Sequence, residues 1–261
     1  MEMFGVDLVQ LLPFIAVGFA AQLVDGALGM AFGVITNTLL VGVMGVPPAL
    51  ASQRVHVVEC FTTATSGISH LLHGNIDKRL FFRLLIPGIA GGVGGAYLLT
   101  SIDASVIKPF VLIYLAGIGI YLLGRGVLYP PKLREARNVA PLGLIGGFLD
   151  AAGGGGWGPV VTSNLLVQGG EPRKVVGTVN SVEFFLTITI SATFVFQLGI
   201  ADLAGATLGL LIGGICAAPF AAYAARHFSP KAMLILVGAA LTMTSIYGIW
   251  TVWGQAVMRA G

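Results

Sequence analysis

Glu59 and Glu183 each stand about ten residues into an apolar stretch of this 261-residue chain. A charged group in such surroundings is costly unless it is paired or neutralised, so each must have a chemical or a structural duty. Two duties suit a buried carboxyl. It can carry a proton, because low dielectric disfavours its charge, or it can hold nearby chain by accepting hydrogen bonds from unpartnered amides. Polar residues accompany Glu59 at His56, Thr63, Ser66, His70 and His73, a spacing of three and four that keeps them on one helical face. Glu183 has a weaker version of the stripe in Asn180, Thr187 and Ser191. His56 occupies the place that Asn180 holds in the second stripe, and that divergence fits either a substrate or proton role or simple packing. His70 and His73 lie toward one end of their helix and read as interfacial. Arg54 has two readings, a side chain reaching out to lipid headgroups and a bidentate partner for an anion.

The stripes follow two glycine-rich elements. Asp25-Gly26-Ala27-Leu28-Gly29-Met30-Ala31-Phe32-Gly33 returns as Asp150-Ala151-Ala152-Gly153-Gly154-Gly155-Gly156-Trp157-Gly158. Ile35-Thr36-Asn37-Thr38 is answered by Val161-Thr162-Ser163-Asn164, Val55-His56-Val57-Val58-Glu59 by Val179-Asn180-Ser181-Val182-Glu183, and Gly91-Gly92 by Gly213-Gly214. This is an internal duplication with a period of about 125 residues. Glycine lets backbone bend and approach a ligand closely, and amides at the start of a half-helix direct partial positive charge at an anion. Gly154, Gly155, Gly156 and Trp157, with Asp25 and Asp150 near the tips, are therefore site candidates. Thr36, Asn37, Ser163 and Asn164 supply neutral donors, unless they serve only to pack helices. The glycine run lacks the Lys-Ser/Thr of a phosphate-binding loop and follows no strand, which argues against nucleotide binding. His56, Glu59, His70 and His73 contain no His-Glu-x-x-His pair, which weakens a metalloenzyme reading.

The elements that must position these residues are set by composition. Only 10% of the residues are charged and 56% are hydrophobic, too few charges for a water-facing surface. Phe81 to Leu99, Val106 to Leu123, Ala204 to Ala225 and Ala232 to Val252 approach the ~20 apolar residues that cross a bilayer core. The pieces beside the glycine elements, such as Leu142 to Leu149 and Val160 to Val167, are too short to cross. Irregular backbone at membrane depth needs protein or a wet cavity around it. A re-entrant hairpin, or a pair of half-helices, followed by three crossings is therefore expected in each half. That topology places Lys78, Arg79, Arg83, Arg125, Lys132, Arg134, Arg137, Arg173, Lys174, Arg226 and Lys231 on one side, the cytoplasmic one. Four crossings per half would scatter them. Three crossings invert the second half relative to the first, bring the two glycine hairpins together near the midplane, and put both termini outside. Met1 to Met3 carry no basic residue ahead of the first apolar stretch, unlike a cleavable secretory signal. Cys60 and Cys216 lie inside apolar segments and imply no disulfide framework.

The paired glycine hairpins, Gly153 to Pro159, the Gly177-Thr178-Val179-Asn180 to Glu183 element, and His56 to Glu59 followed by Ser69-His70 and Gly74-Asn75-Ile76-Asp77 resemble the TauE/SafE sulfite exporter family. The resemblance runs from about Pro13 to Trp253. It implies transport of a small sulfur-containing anion, of the sulfite or organosulfonate class, across the bacterial inner membrane. The first hairpin departs from the second in being poorer in glycine.

The expected fold is an all-α polytopic membrane protein of two inverted-topology repeats, 1–125 and 141–261, joined by a cytoplasmic linker at 126–140. The expected function is secondary transport by alternating access, with proton coupling as an option and no enzymatic activity. A channel-like conduit is the alternative. No cofactor and no nucleic acid are expected. The expected partners are the small anionic substrate, the lipid bilayer and, as one oligomeric state, a second copy of the chain in a homodimer.

Overall fold

Carboxylates and prolines open several of the long helices. In this computed structural model Asp77 accepts hydrogen bonds from the Arg79 and Leu80 amides at 2.8 and 3.1 Å, which starts the helix Lys78–Ser101. Asp103 does the same for Ala104–Val127 through the Ser105 amide. Pro172 opens Pro172–Leu198, where its missing N–H costs nothing. The structure describes residues 2–3, 6–28, 30–128, 138–162, 164–165, 168, 171–200, 203–227 and 230–260.

In chain order the helices are α1 (Leu8–Leu28), α2 (Phe32–Thr38, continued by a π-helical turn Leu39–Val43), α3 (Pro48–Leu72), α4 (Lys78–Ser101) and α5 (Ala104–Val127). The second half follows with α6 (Val139–Gly153, then a π-helical turn Trp157–Thr162), α7 (Pro172–Leu198), α8 (Leu203–His227) and α9 (Pro230–Ala260). A two-residue ladder pairs Glu2–Met3 with Val6–Asp7 ahead of α1. The described residues are thus all but wholly helical, as the hydropathy pattern predicts.

Both apolar stretches break at the glycine elements. At about 1.5 Å per residue, the 15 residues of α6 reach about 22 Å, short of a ~30 Å core. By contrast α1 has 21 residues, longer than the fragments foreseen beside the breaks, because apolar sequence runs almost unbroken from Leu8 to Val24. The helices α5 and α6 extend to Val127 and from Val139, so they enter both ends of the expected linker; residues 129–137 lie outside the described residues.

Alpha-helical packing follows a reciprocal pattern. The most extensive contacts pair α1 with α8, α4 with α6, α5 with α9 and α3 with α7. Adding about 125 to first-half residue numbers and subtracting about 125 from second-half ones turns the first pair into the second and maps the last two onto themselves. Glycines let two of these pairs close. A Cβ on Gly147 of α6 would strike the backbone of Gly88 on α4, and one on Gly18 of α1 would strike Leu210 on α8.

Among the described residues three helices, Lys78–Ser101, Ala104–Val127 and Lys174–Leu198, are long and apolar enough to cross a membrane. Their outer faces carry large apolar side chains such as Ile86, Tyr97, Phe110 and Ile120, each more than half exposed. In water such a surface would aggregate; in lipid it is solvated.

Candidate functional site

Each break is built the same way. The α6 carboxylate Asp150 accepts a hydrogen bond from the Trp157 amide at 2.9 Å, across the glycine run. Asp25 accepts from the Phe32 amide at 3.1 Å, also seven residues on. Each aspartate therefore ties the end of one half-helix to the first amide of the next, a donor with no partner inside its own helix. Backbone turns at Gly154 (φ 69°) and Gly155 (φ 140°) make the second break, and Ala31 (φ 109°) takes the corresponding strained turn in the first.

The two breaks meet. Gly33 lies beside Gly155, so closely that a Cβ on Gly155 would collide with the backbone of Gly33 and Val34. Gly158 in turn lies beside Met30 and Ala31. Asn37 fastens the junction by donating from Nδ2 to the Gly153 carbonyl at 2.5 Å, and the Tyr114 hydroxyl donates to the Gly155 carbonyl at 3.1 Å.

At this junction is a cavity of about 260 Å³. Its wall includes Gln22, Asp25 and Met30 from the first break, Phe32, Gly33 and Val34 from α2, and Asp150, Gly155, Gly156 and Gly158 from the second break. Glu59, Thr62, Thr63, Ser66 and His70 come from α3, and Val176, Asn180 and Glu183 from α7. Among the described residues that line this space are four carboxyl groups and no Lys or Arg. Glu59 is only 5% exposed, and its Oε2 has no hydrogen-bond partner among the described residues.

His56 is fully buried behind the wall and contacts Asp150. Its Nε2 is 3.1 Å from Asp150 Oδ2, and its Nδ1 is 2.7 Å from the Ser52 carbonyl. A carbonyl oxygen only accepts, so Nδ1 carries the hydrogen. The Ser52 hydroxyl also donates to the Ala151 carbonyl at 2.8 Å, clamping the end of α6 to α3. Asn180, which holds the corresponding place in the second half, donates instead to the Ser66 hydroxyl at 3.0 Å and faces the cavity. The breaks differ accordingly: Asp150 is held by an amide and a histidine, while for Asp25 the bond from Phe32 is the one in hand.

The polar stripes of α3 and α7 face each other along a seam. Besides Asn180 and Ser66, the hydroxyls of Thr63 and Thr187 stand 3.5 Å apart, as do Cys60 Sγ and Ser191 Oγ. Six of the residues picked out by sequence converge on the cavity: Asp25, Glu59, Asp150, Gly155, Gly156, Asn180, with Glu183 as a seventh. Others support it from outside. Trp157 is buried and donates from Nε1 to the Val179 carbonyl at 3.2 Å. Gly154 packs on Asn37, and Asn164 bonds back to the Val160 carbonyl at 2.8 Å. Thr36 is buried within α2. Arg54 is half-buried with its guanidinium 5.8 Å from the Phe14 ring centre, away from the cavity. Ser163 lies outside the described residues.

Two further residues line the cavity: Gln22, which sequence reading passed over, and His70, which it placed in the Glu59 stripe but read as interfacial. Gln22 is three positions before Asp25, hence on the same helical face. His70 continues the Glu59 stripe, and it borders the cavity as well as lying 3.3 Å from Asn75 Nδ2.

Residues 14–248 match the sequence profile described as the sulfite exporter TauE/SafE. The chain is also 41% identical over 253 residues to the probable membrane transporter protein YtnM of Bacillus subtilis (strain 168), a match that spans 94% of this chain and 84% of that protein. No solved structure matches the chain. Paired broken helices, a buried polar cavity between them and a lipid-compatible exterior are what such a membrane transporter needs, and by sequence the chain belongs to the TauE/SafE sulfite exporter family.

Proposed function

We propose that this protein is a secondary transporter that moves a small sulfur-containing anion across the bacterial cytoplasmic membrane together with protons. The observation that carries the reading is the cavity wall, which joins first-turn residues of α2 to Asp25, Glu59, Asp150 and Glu183 and contains no Lys or Arg among the described residues. Apart from His70, an anion there meets only neutral donors among the described lining residues, and ionised carboxylates would repel it. Charge balance therefore requires Glu59 and Glu183 to enter the loaded state protonated, so that the anion and its protons travel as one load. Asp150 is paired with His56 at 3.1 Å.

The two halves act as inverted repeats, 1–125 and 141–261, with three crossings each, both termini outside and the linker in the cytoplasm. The reciprocal helix pairs and the matched aspartate-to-amide bonds at both breaks support this. Rocking of one half against the other about the Gly33–Gly155 contact would open the cavity to each side in turn.

The test is uptake by proteoliposomes of labelled sulfite, sulfate, thiosulfate, taurine and sulfoacetate under an imposed pH gradient. Saturable uptake of one of these, accelerated by a favourable proton gradient and showing counterflow, is expected. Glu59→Gln should still exchange substrate but lose the response to the gradient. Uptake that never saturates and lacks counterflow would indicate a channel-like conduit instead. Uptake indifferent to pH in the wild type would remove proton coupling.

A further inference from the structure

On the far side of the α3–α7 contact from the polar cavity lies a second depression of very different chemistry. It has a volume of about 720 Å³, within the roughly 300–1,000 Å³ typical of small-molecule sites. Its walls are Ala64, Ile68 and Leu71 of α3, Phe81 and Phe82 of α4 and Phe185 of α7, and its floor is the contact of Gly67 with Ser181. The aromatic rings make a fixed wall: Phe81 meets Phe82 and Phe185 edge-on at 5.3 and 5.8 Å. Ile68, Leu71 and Phe82 are each about 60% exposed, so the groove opens outward rather than into the protein. Apart from Ser181, the polar side chain in its lining is Lys78 at one end.

We infer that this groove holds one acyl chain of an anionic phospholipid, with its phosphate against Lys78. The occupant must be long and apolar along the α3–α4 wall and negative at the Lys78 end. Lys78 opens α4, a helix of membrane-spanning length, so it sits at the membrane boundary where a lipid phosphate lies. Arg79 and Arg83 follow on the same helix, and Lys174 reaches across to the Gly74 carbonyl at 2.7 Å, at the same end of the groove. The neighbouring acid, Asp77, turns its carboxylate to the Arg79 and Leu80 amides. A basic end on an apolar groove complements a phosphodiester head on a hydrocarbon tail. The inference rests on the chain being a membrane protein and not on the proposed substrate or its coupling.

The experiment uses the full chain purified in an uncharged detergent, titrated with phosphatidylglycerol or with phosphatidylcholine of the same acyl chains. Bound lipid is counted by native mass spectrometry, and the melting temperature is followed in parallel, since a ligand of the folded state raises it. Phosphatidylglycerol should be retained at one molecule per chain and raise the melting temperature by several degrees, with phosphatidylcholine far behind. Lys78→Gln, an exposed change that leaves the fold alone, should weaken phosphatidylglycerol about fivefold, as expected for one basic residue at an anionic surface. Ala64→Trp, which fills the groove, should abolish saturable binding without altering uptake in proteoliposomes. Equal binding of the two lipids, or phosphatidylglycerol binding indifferent to Lys78→Gln, would overturn the inference. So would a detergent-stable dimer that Ala64→Trp dissociates, because the groove would then be covered by a second copy.

Discussion

Replacing Gly155 by alanine should unfold the junction between the two breaks. Gly155 has φ 140°, a region that side chains rarely adopt, and forcing a non-glycine residue there costs about 1–3 kcal/mol. The added Cβ would also collide with main-chain atoms of Gly33 and Val34. Backbone does not yield as a flexible side chain does, so overpacking adds about 1–3 kcal/mol. The combined cost of about 2–6 kcal/mol is a large part of the ~5–15 kcal/mol that holds a typical domain folded. Gly94→Ala is the matched control: it lies within α4, and its Cβ would meet nothing within 4 Å. Removing a helix-interior glycine gains roughly 0.5–1 kcal/mol. Thermal unfolding of the two purified variants, read as the fraction remaining monodisperse after heating, should separate them in opposite directions from the wild type. If Gly155→Ala melts with Gly94→Ala, the two breaks do not touch as described, and the cavity between them loses its basis.

Three further outcomes follow from the same geometry. His56→Ala leaves the buried Asp150 carboxyl without its partner and should cost about 3–5 kcal/mol; in a double-mutant cycle with Asp150→Asn the two changes should couple by about 0.5–3 kcal/mol, and simple additivity would dissolve the pair. Asp77→Ala removes the α4 cap and should lower stability by about 1 kcal/mol in chemical denaturation, while Asp77→Ser should restore most of it. The hydroxyl and amide of Ser105 hold the Asp103 carboxyl below the usual carboxylate range. A depressed folded-state value means that the cap contributes fully above the ordinary range and fades as pH falls through the depressed one. Melting temperatures of wild type and Asp103→Asn should therefore differ near neutrality and converge in acid.

The sequence by itself determined the solvent, the helical class and where the chain breaks. Charge scarcity and apolar runs act through local burial, and the spacing of His56, Glu59, Thr63, Ser66 and His70 is a property of one helix, so both were legible without partners. The two glycine elements and their aspartates were legible for the same reason, since each aspartate reaches an amide only seven residues on. Glu59, Glu183 and Asn180 were marked as site residues by their depth and stripe. The tertiary structure alone decided which groups share a wall. His56 is 94 residues from the carboxyl it contacts, and Asn37 is 116 from the carbonyl it holds. No periodicity encodes such pairs, because they depend on how α2, α3 and α6 pack rather than on how each one folds. The same packing turned Arg54 away from the cavity and brought Gln22 and His70 into its wall. It also set α1 against α8 and α4 against α6, each half closing on the other's helix, because the glycines that permit that approach gain their meaning only from the backbone they face.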